Sequence, residues 1–135
     1  MYAANKPSEP HILLAEDDPA MRDLLAFCLY QAGYRVTSCG DGLSLLERLE
    51  TNAEIDLVIT DVRMPAMTGL EVLEATLDSK RRPPTICMTA FGDESTHEQA
   101  RRLGAVKILD KPFDIEALVE TVRQYCPPRR PASVH

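Results

Sequence analysis

The chain has 135 residues, the length of one ordinary domain, and its 44% hydrophobic and 27% charged content excludes a disordered polypeptide. A formal net charge of -6 argues against direct nucleic-acid binding. No apolar run approaches the roughly 20 residues of a membrane span, and residues 1–10 hold no apolar segment that reads as a secretory signal.

Residues 1–10 read as a flexible polar leader, and residues 127–135, with Pro127, Pro128 and Pro131, as a flexible tail. The interval 11–126 is then the one folded domain. His11 to Ala15 is a short apolar run that reads as a buried strand and stops at Glu16-Asp17-Asp18. Asp18 is placed to cap a helix with Pro19 as its first residue. Met21, Leu24, Leu25, Cys28 and Leu29 recur at helical spacing up to Gly33, a natural stop. Tyr34 to Cys39 reads as a second strand, and Leu45, Leu46 and Leu49 mark a second helix.

The third strand is the β-branched run Ile55, Leu57, Val58, Ile59, which ends on Asp61 before the loop breakers Pro65 and Gly69. Leu70, Leu73 and Leu77 predict a third helix ending near residues 80–82. Residues 85–89 are a fourth strand. Residues 93–103 read as a helix with only Ala100 and Leu103 clearly apolar, the weakest element. Residues 105–109 are a fifth strand. After the Lys111-Pro112-Phe113 loop, Asp114 caps a last helix whose inner face is Ile115, Leu118, Val119 and Val122.

Five alternations of buried strand and helix imply an α/β fold with helices on both faces of a parallel sheet. The expected architecture is a flavodoxin-like, doubly wound (βα)5 unit with strand order 2-1-3-4-5 and its crevice between strands 1 and 3. Glu16, Asp17 and Asp61 would meet there, with Thr89 and Lys111 on neighbouring loops. Clustered carboxylates repel unless cations sit among them. Oxygen donors without His or Cys suit Mg²⁺ and argue against zinc. A carboxylate nucleophile, Mg²⁺ held by Asp17 and Asp61, the Lys111 charge and the Thr89 hydroxyl together point to phosphoryl transfer onto Asp61.

Residues 12–22 (ILLAEDDPAMR), 56–69 (DLVITDVRMPAMTG), Met88-Thr89-Ala90 and Lys111-Pro112-Phe113 resemble the signature segments of the CheY-like receiver domain of two-component response regulators. The resemblance makes Asp61 the phosphoacceptor and Asp17 a direct metal carboxylate. It implies that Glu16 acts on the metal through a water and that the Arg63 backbone carbonyl is a third ligand. Thr89 becomes the switch hydroxyl and Lys111 the phosphate-binding lysine, with a cis Lys111-Pro112 bond. It further implies a signalling switch rather than an enzyme. A sensor histidine kinase or phosphotransfer protein would supply the phosphoryl group, and a downstream target protein would read the result, in the cytoplasm, without nucleic acid or membrane. Two positions depart from the usual pattern: Glu16 stands where Asp is common, and Ile108 where an aromatic switch residue is common.

Each residue also has a plain reading. Glu16 and Asp17 could simply favour a helix start. His97 reads as solvated, His11 as having no partner, and Cys28, Cys39, Cys87 and Cys126 as reduced thiols in a cytosolic protein. Arg63 and Phe91 are expected to flank the water approach to Asp61. Without a visible output domain the chain reads as a stand-alone receiver, or as a relay intermediate. An aspartyl phosphatase is disfavoured because Arg63 stands where its second acid/base aspartate is needed. A flavin module is disfavoured because Glu16-Asp17-Asp18 would repel a phosphate.

Overall fold

The computed structural model describes residues 9–51, 54–90 and 94–128. The leader, most of the tail, and Phe91 lie wholly or largely outside these residues. Five strands and five helices alternate: β1 (His11–Ala15), α1 (Pro19–Gln31), β2 (Arg35–Cys39), α2 (Gly42–Thr51), β3 (Leu57–Asp61), α3 (Gly69–Ala75), β4 (Thr85–Thr89), α4 (Glu94–Arg102), β5 (Lys107–Asp110) and α5 (Ile115–Tyr125). The sheet is parallel throughout, in the order β2-β1-β3-β4-β5, as the sequence implies.

The three central strands are buried at every position. Their side chains alternate between two cores. Ile12, Leu14, Leu57, Ile59, Ile86 and Met88 pack with Leu25, Leu29, Leu118 and Val122, residues of α1 and α5. Leu13, Ala15 and Val58 pack with Leu45 and Val72, and Cys87 with Leu73 and Ala100, which belong to α2, α3 and α4. Burial on both faces is why these strands show no polar alternation in sequence.

Helix ends follow local chemistry. Asp18 accepts from the Ala20 N–H at 3.3 Å and Pro19 opens α1. Gly33, at φ 106°, closes α1: its N–H reaches the Tyr30 carbonyl while the Tyr34 N–H reaches that of Leu29. Thr68 and Glu71 form a reciprocal cap on α3. Asp114 occupies the N-cap position of α5 without a side-chain cap bond, so the sequence reading holds there only for position.

Several expectations need correction. Helix α3 ends at Ala75, five residues before the expected stop. The Thr76 hydroxyl turns back onto the Val72 carbonyl, and Leu77 is 46% exposed. On α1, Leu24 is 48% exposed and the smaller Ala26 takes the inner place. Strand β5 begins two residues later than expected. As an edge strand it has one neighbour, and so it admits exposed Lys107 and Asp110. The expectation for α4 holds: Ala100 is its one buried residue.

Candidate functional site at the carboxyl edge of the sheet

Glu16 follows β1 and continues the parity of Ile12 and Leu14. Asp61 ends β3 and continues that of Leu57 and Ile59. Both carboxylates therefore leave the sheet on one side, at the reversal point between β1 and β3. Each is buried, Glu16 at 1% and Asp61 at 6% exposure, while Asp17 is exposed. One carboxylate oxygen from each of the three lies within 4.8 Å of the others.

Lys111 enters from the loop after β5. Its ammonium donates to Glu16 Oε1 at 2.7 Å and to Asp61 Oδ2 at 2.9 Å. Its backbone N–H donates to the Thr89 carbonyl at 2.6 Å, tying the ends of β4 and β5 together. Thr89 is buried at the end of β4, and the Lys111-Pro112 bond is cis. The other Glu16 oxygen accepts from the Asp18 N–H at 3.1 Å. Arg63 is exposed just beyond Asp61. The structure thus gathers Glu16, Asp17, Asp61, Thr89 and Lys111 at one edge.

The electrostatics are uneven. Burial pushes the Asp61 carboxyl up to about 7, against the Lys111 hydrogen bond and with help from the neighbouring Glu16 carboxylate. Burial also acts on Glu16, but hydrogen bonds from Lys111 and the Asp18 N–H outweigh it and hold that group below the usual range. Burial would lower the Lys111 ammonium, yet its two carboxylate partners raise it. Three carboxylates face one ammonium. An all-oxygen donor set with two negative charges left over and one exposed member fits a hard divalent cation such as Mg²⁺. Among the described residues this is the one such acidic group.

Sequence reasoning missed three contacts. Arg22 donates to the Glu16 carbonyl at 2.9 Å. A cation near a helix start, against the helix dipole, was the available signal. His11 is buried, not partnerless: its Nε2 lies 2.7 Å from Thr37 Oγ1 and its Nδ1 3.4 Å from Arg35, while its N–H donates to Asp56. His97, expected to be solvated, sits 2.7 Å from Asp110 with its side chain 17% exposed. The four cysteines are free, as expected. No helix among the described residues is long and apolar enough to cross a membrane.

Comparison with known proteins agrees with this geometry. Residues 12–123 match the family described as Response regulator receiver domain. The chain is 36% identical over 123 residues to the transcriptional regulatory protein FixJ of Bradyrhizobium diazoefficiens, covering 91% of this chain and 60% of FixJ, so it spans less than two thirds of that relative. It is 32% identical to sporulation initiation phosphotransferase F of Bacillus subtilis, covering 86% of this chain and 93% of that protein. The solved chemotaxis response regulator CheY4 of Vibrio cholerae superposes with a TM-score of 0.79 at 28% identity, over 86% of this chain and 98% of that one. The sheet order, the acidic crevice and these matches lead to one conclusion: the chain belongs to the response regulator receiver domain family of two-component signalling.

Proposed function

We propose that Asp61 accepts a phosphoryl group from a phosphohistidine of a sensor histidine kinase or phosphotransfer protein, and that the phosphorylated domain, residues 11–126, changes its affinity for a target protein. The observation that carries this reading is the Asp61 carboxylate at the mouth of the sheet, 2.9 Å from the Lys111 ammonium and beside Glu16 and Asp17. An Asp61 oxygen attacks phosphorus, the phosphorus–nitrogen bond breaks, and its electron pair returns to the imidazole. The Lys111 ammonium, already between two carboxylates, moves its hydrogen bond to a phosphoryl oxygen. Thr89 offers a hydroxyl from the next strand. Asp17, Asp61 and the Arg63 carbonyl are the groups to hold Mg²⁺, with Glu16 through a water. When bound, the ion supplies positive charge against the spread negative charge of the transferring group.

The new phosphoryl group carries roughly -1.5 to -2 charges at neutral pH. It would compete with Glu16 for Lys111 and pull on the joined ends of β4 and β5. Helix α4, with its one buried residue, is the helix with least to hold it in place. Ile108 cannot act as a rotating ring, so the response runs through Thr89, Lys111 and α4. The acidic domain supports a protein partner rather than nucleic acid, and the free thiols support a cytoplasmic location. The near full-length similarity to a protein named as a phosphotransferase supports a second use of the same site, passing the group on to another histidine.

The test is incubation with a small phosphodonor and Mg²⁺, read by intact mass. One added phosphoryl group is expected, absent in Asp61→Asn. Equal labelling of that variant would overturn the assignment.

A further inference from the structure

The backbone loop that follows β3 is braced by two glycines. A Cβ built on Gly69 would lie 2.2 Å from the Asp61 carbonyl oxygen. A Cβ on Gly42, the first residue of α2, would lie 1.8 Å from the Met67 carbonyl oxygen and 2.5 Å from its carbon. Both neighbours are main chain, so no rotamer change relieves either contact. Gly42 has no conformational need to be glycine: among the described residues only Gly33 and Gly104 combine glycine with positive φ. Glycine is also a poorer helix former than alanine. What position 42 requires is space for the Met67 carbonyl.

The loop has little slack to absorb a push at that point. The Gly69 N–H donates to the Val62 carbonyl at 2.8 Å and closes it. The Met67 N–H donates to the Pro65 carbonyl at 2.7 Å, and Ala66 sits at φ 68°, a region non-glycine residues seldom occupy. Thr68 is fixed by its reciprocal cap with Glu71. Moving the Met67 carbonyl therefore moves residues 63–66 with it.

We infer that Gly42 is a positioning residue for metal binding: its missing side chain sets the height of the 63–67 loop, and so the place of the Arg63 carbonyl. This inference rests on the reading of Asp17, Asp61 and the Arg63 carbonyl as Mg²⁺ ligands. Mg²⁺ demands near-ideal octahedral geometry at about 2.0–2.1 Å, whereas Ca²⁺ accepts flexible geometry at about 2.3–2.6 Å. A displaced carbonyl should thus weaken Mg²⁺ more than Ca²⁺.

The experiment titrates the full chain and its Gly42→Ala variant with MgCl₂ and with CaCl₂ by calorimetry, with circular dichroism to confirm the fold. Gly42→Ala should weaken Mg²⁺ by about tenfold or more and Ca²⁺ by less than about threefold. Mg²⁺ affinity within about twofold of the parent, or equal weakening of both ions, overturns the inference. Absence of Mg²⁺ binding by the parent chain instead overturns the underlying metal reading. If Gly42→Ala does not fold, combining it with Met67→Gly removes the Met67 Cβ that would lie 2.8 Å from the added carbon and leaves the push on the Met67 carbonyl, with Met67→Gly alone as the reference. The same loss of magnesium preference is expected in the double variant relative to Met67→Gly alone, and an unchanged preference overturns the inference.

Discussion

Removing the Asp61 charge should stabilise the metal-free protein at alkaline pH and do so in a pH-dependent way. The Asp61 carboxyl is raised from an ordinary 3.8 to about 7, first by burial. Its folded value lies above its unfolded value, so its contribution to stability is complete below about pH 4 and is lost as pH rises through about 7. At about 1.4 kcal/mol per unit, the loss between pH 5 and pH 8 has a ceiling of roughly 3 kcal/mol. Asp61→Asn cannot ionise and escapes it. Glu16 is shifted the other way, and its change falls below this window. His11, lowered by burial and by Arg35, titrates in both proteins and cancels. For a domain of this size that ceiling corresponds to roughly 10 °C. The assay is thermal unfolding of parent and variant in EDTA at pH 5 and pH 8. The variant's advantage in Tm should grow by up to that amount at the higher pH. An advantage that is constant or shrinks would refute the burial argument. Saturating Mg²⁺ at pH 8 should narrow the gap, because only the parent keeps the Asp61 carboxylate proposed as a metal ligand.

Asp17→Ala should lose Mg²⁺ binding and labelling together while keeping its fold, since Asp17 is exposed and carries no core contact; unchanged metal affinity by calorimetry would contradict its assignment. Thr68→Ala should cost about 1 kcal/mol of stability by removing the capping box of α3, measured by urea unfolding. Arg63→Ala should shorten the lifetime of the phosphorylated form, followed by intact mass over time, because an exposed arginine beside Asp61 can shield it from water but cannot act as a base. An unchanged decay would remove that shielding role. The same role was expected of Phe91, which lies outside the described residues.

The fold was legible because three strands buried on both faces leave β-branched and leucine runs that no exposed strand would carry. The site was legible because Glu16, Asp17, Asp61, Thr89 and Lys111 all fall at strand ends, where a parallel sheet brings them to one edge. Periodicity failed where a small residue took an inner position, as Ala26 did over Leu24. It failed again where a threonine ended a helix early, as Thr76 did before Leu77. The boundary of β5 was misread because an edge strand tolerates Lys107 and Asp110, which carry no strand signature. The Arg22 side-chain bond to the Glu16 carbonyl, six residues back, and the close approach of Gly42 to the Met67 main chain each depend on how two stretches of chain meet, and single-residue preference is blind to such pairs.

Lys111 lies 95 residues from Glu16 and 50 from Asp61 along the chain, and it directly follows the last and least buried strand. Pairing of β1 with β3 sets the Glu16 and Asp61 carboxylates side by side, and without β5 they lack the Lys111 ammonium. The ammonium that offsets their repulsion is brought in when β5 adds to the edge of the sheet. Docking of β5 is therefore rewarded electrostatically as well as by packing, and any local opening of that edge uncovers the acidic pair. In the metal-free protein the stability of the outermost strand is thus coupled to the charge at the candidate site.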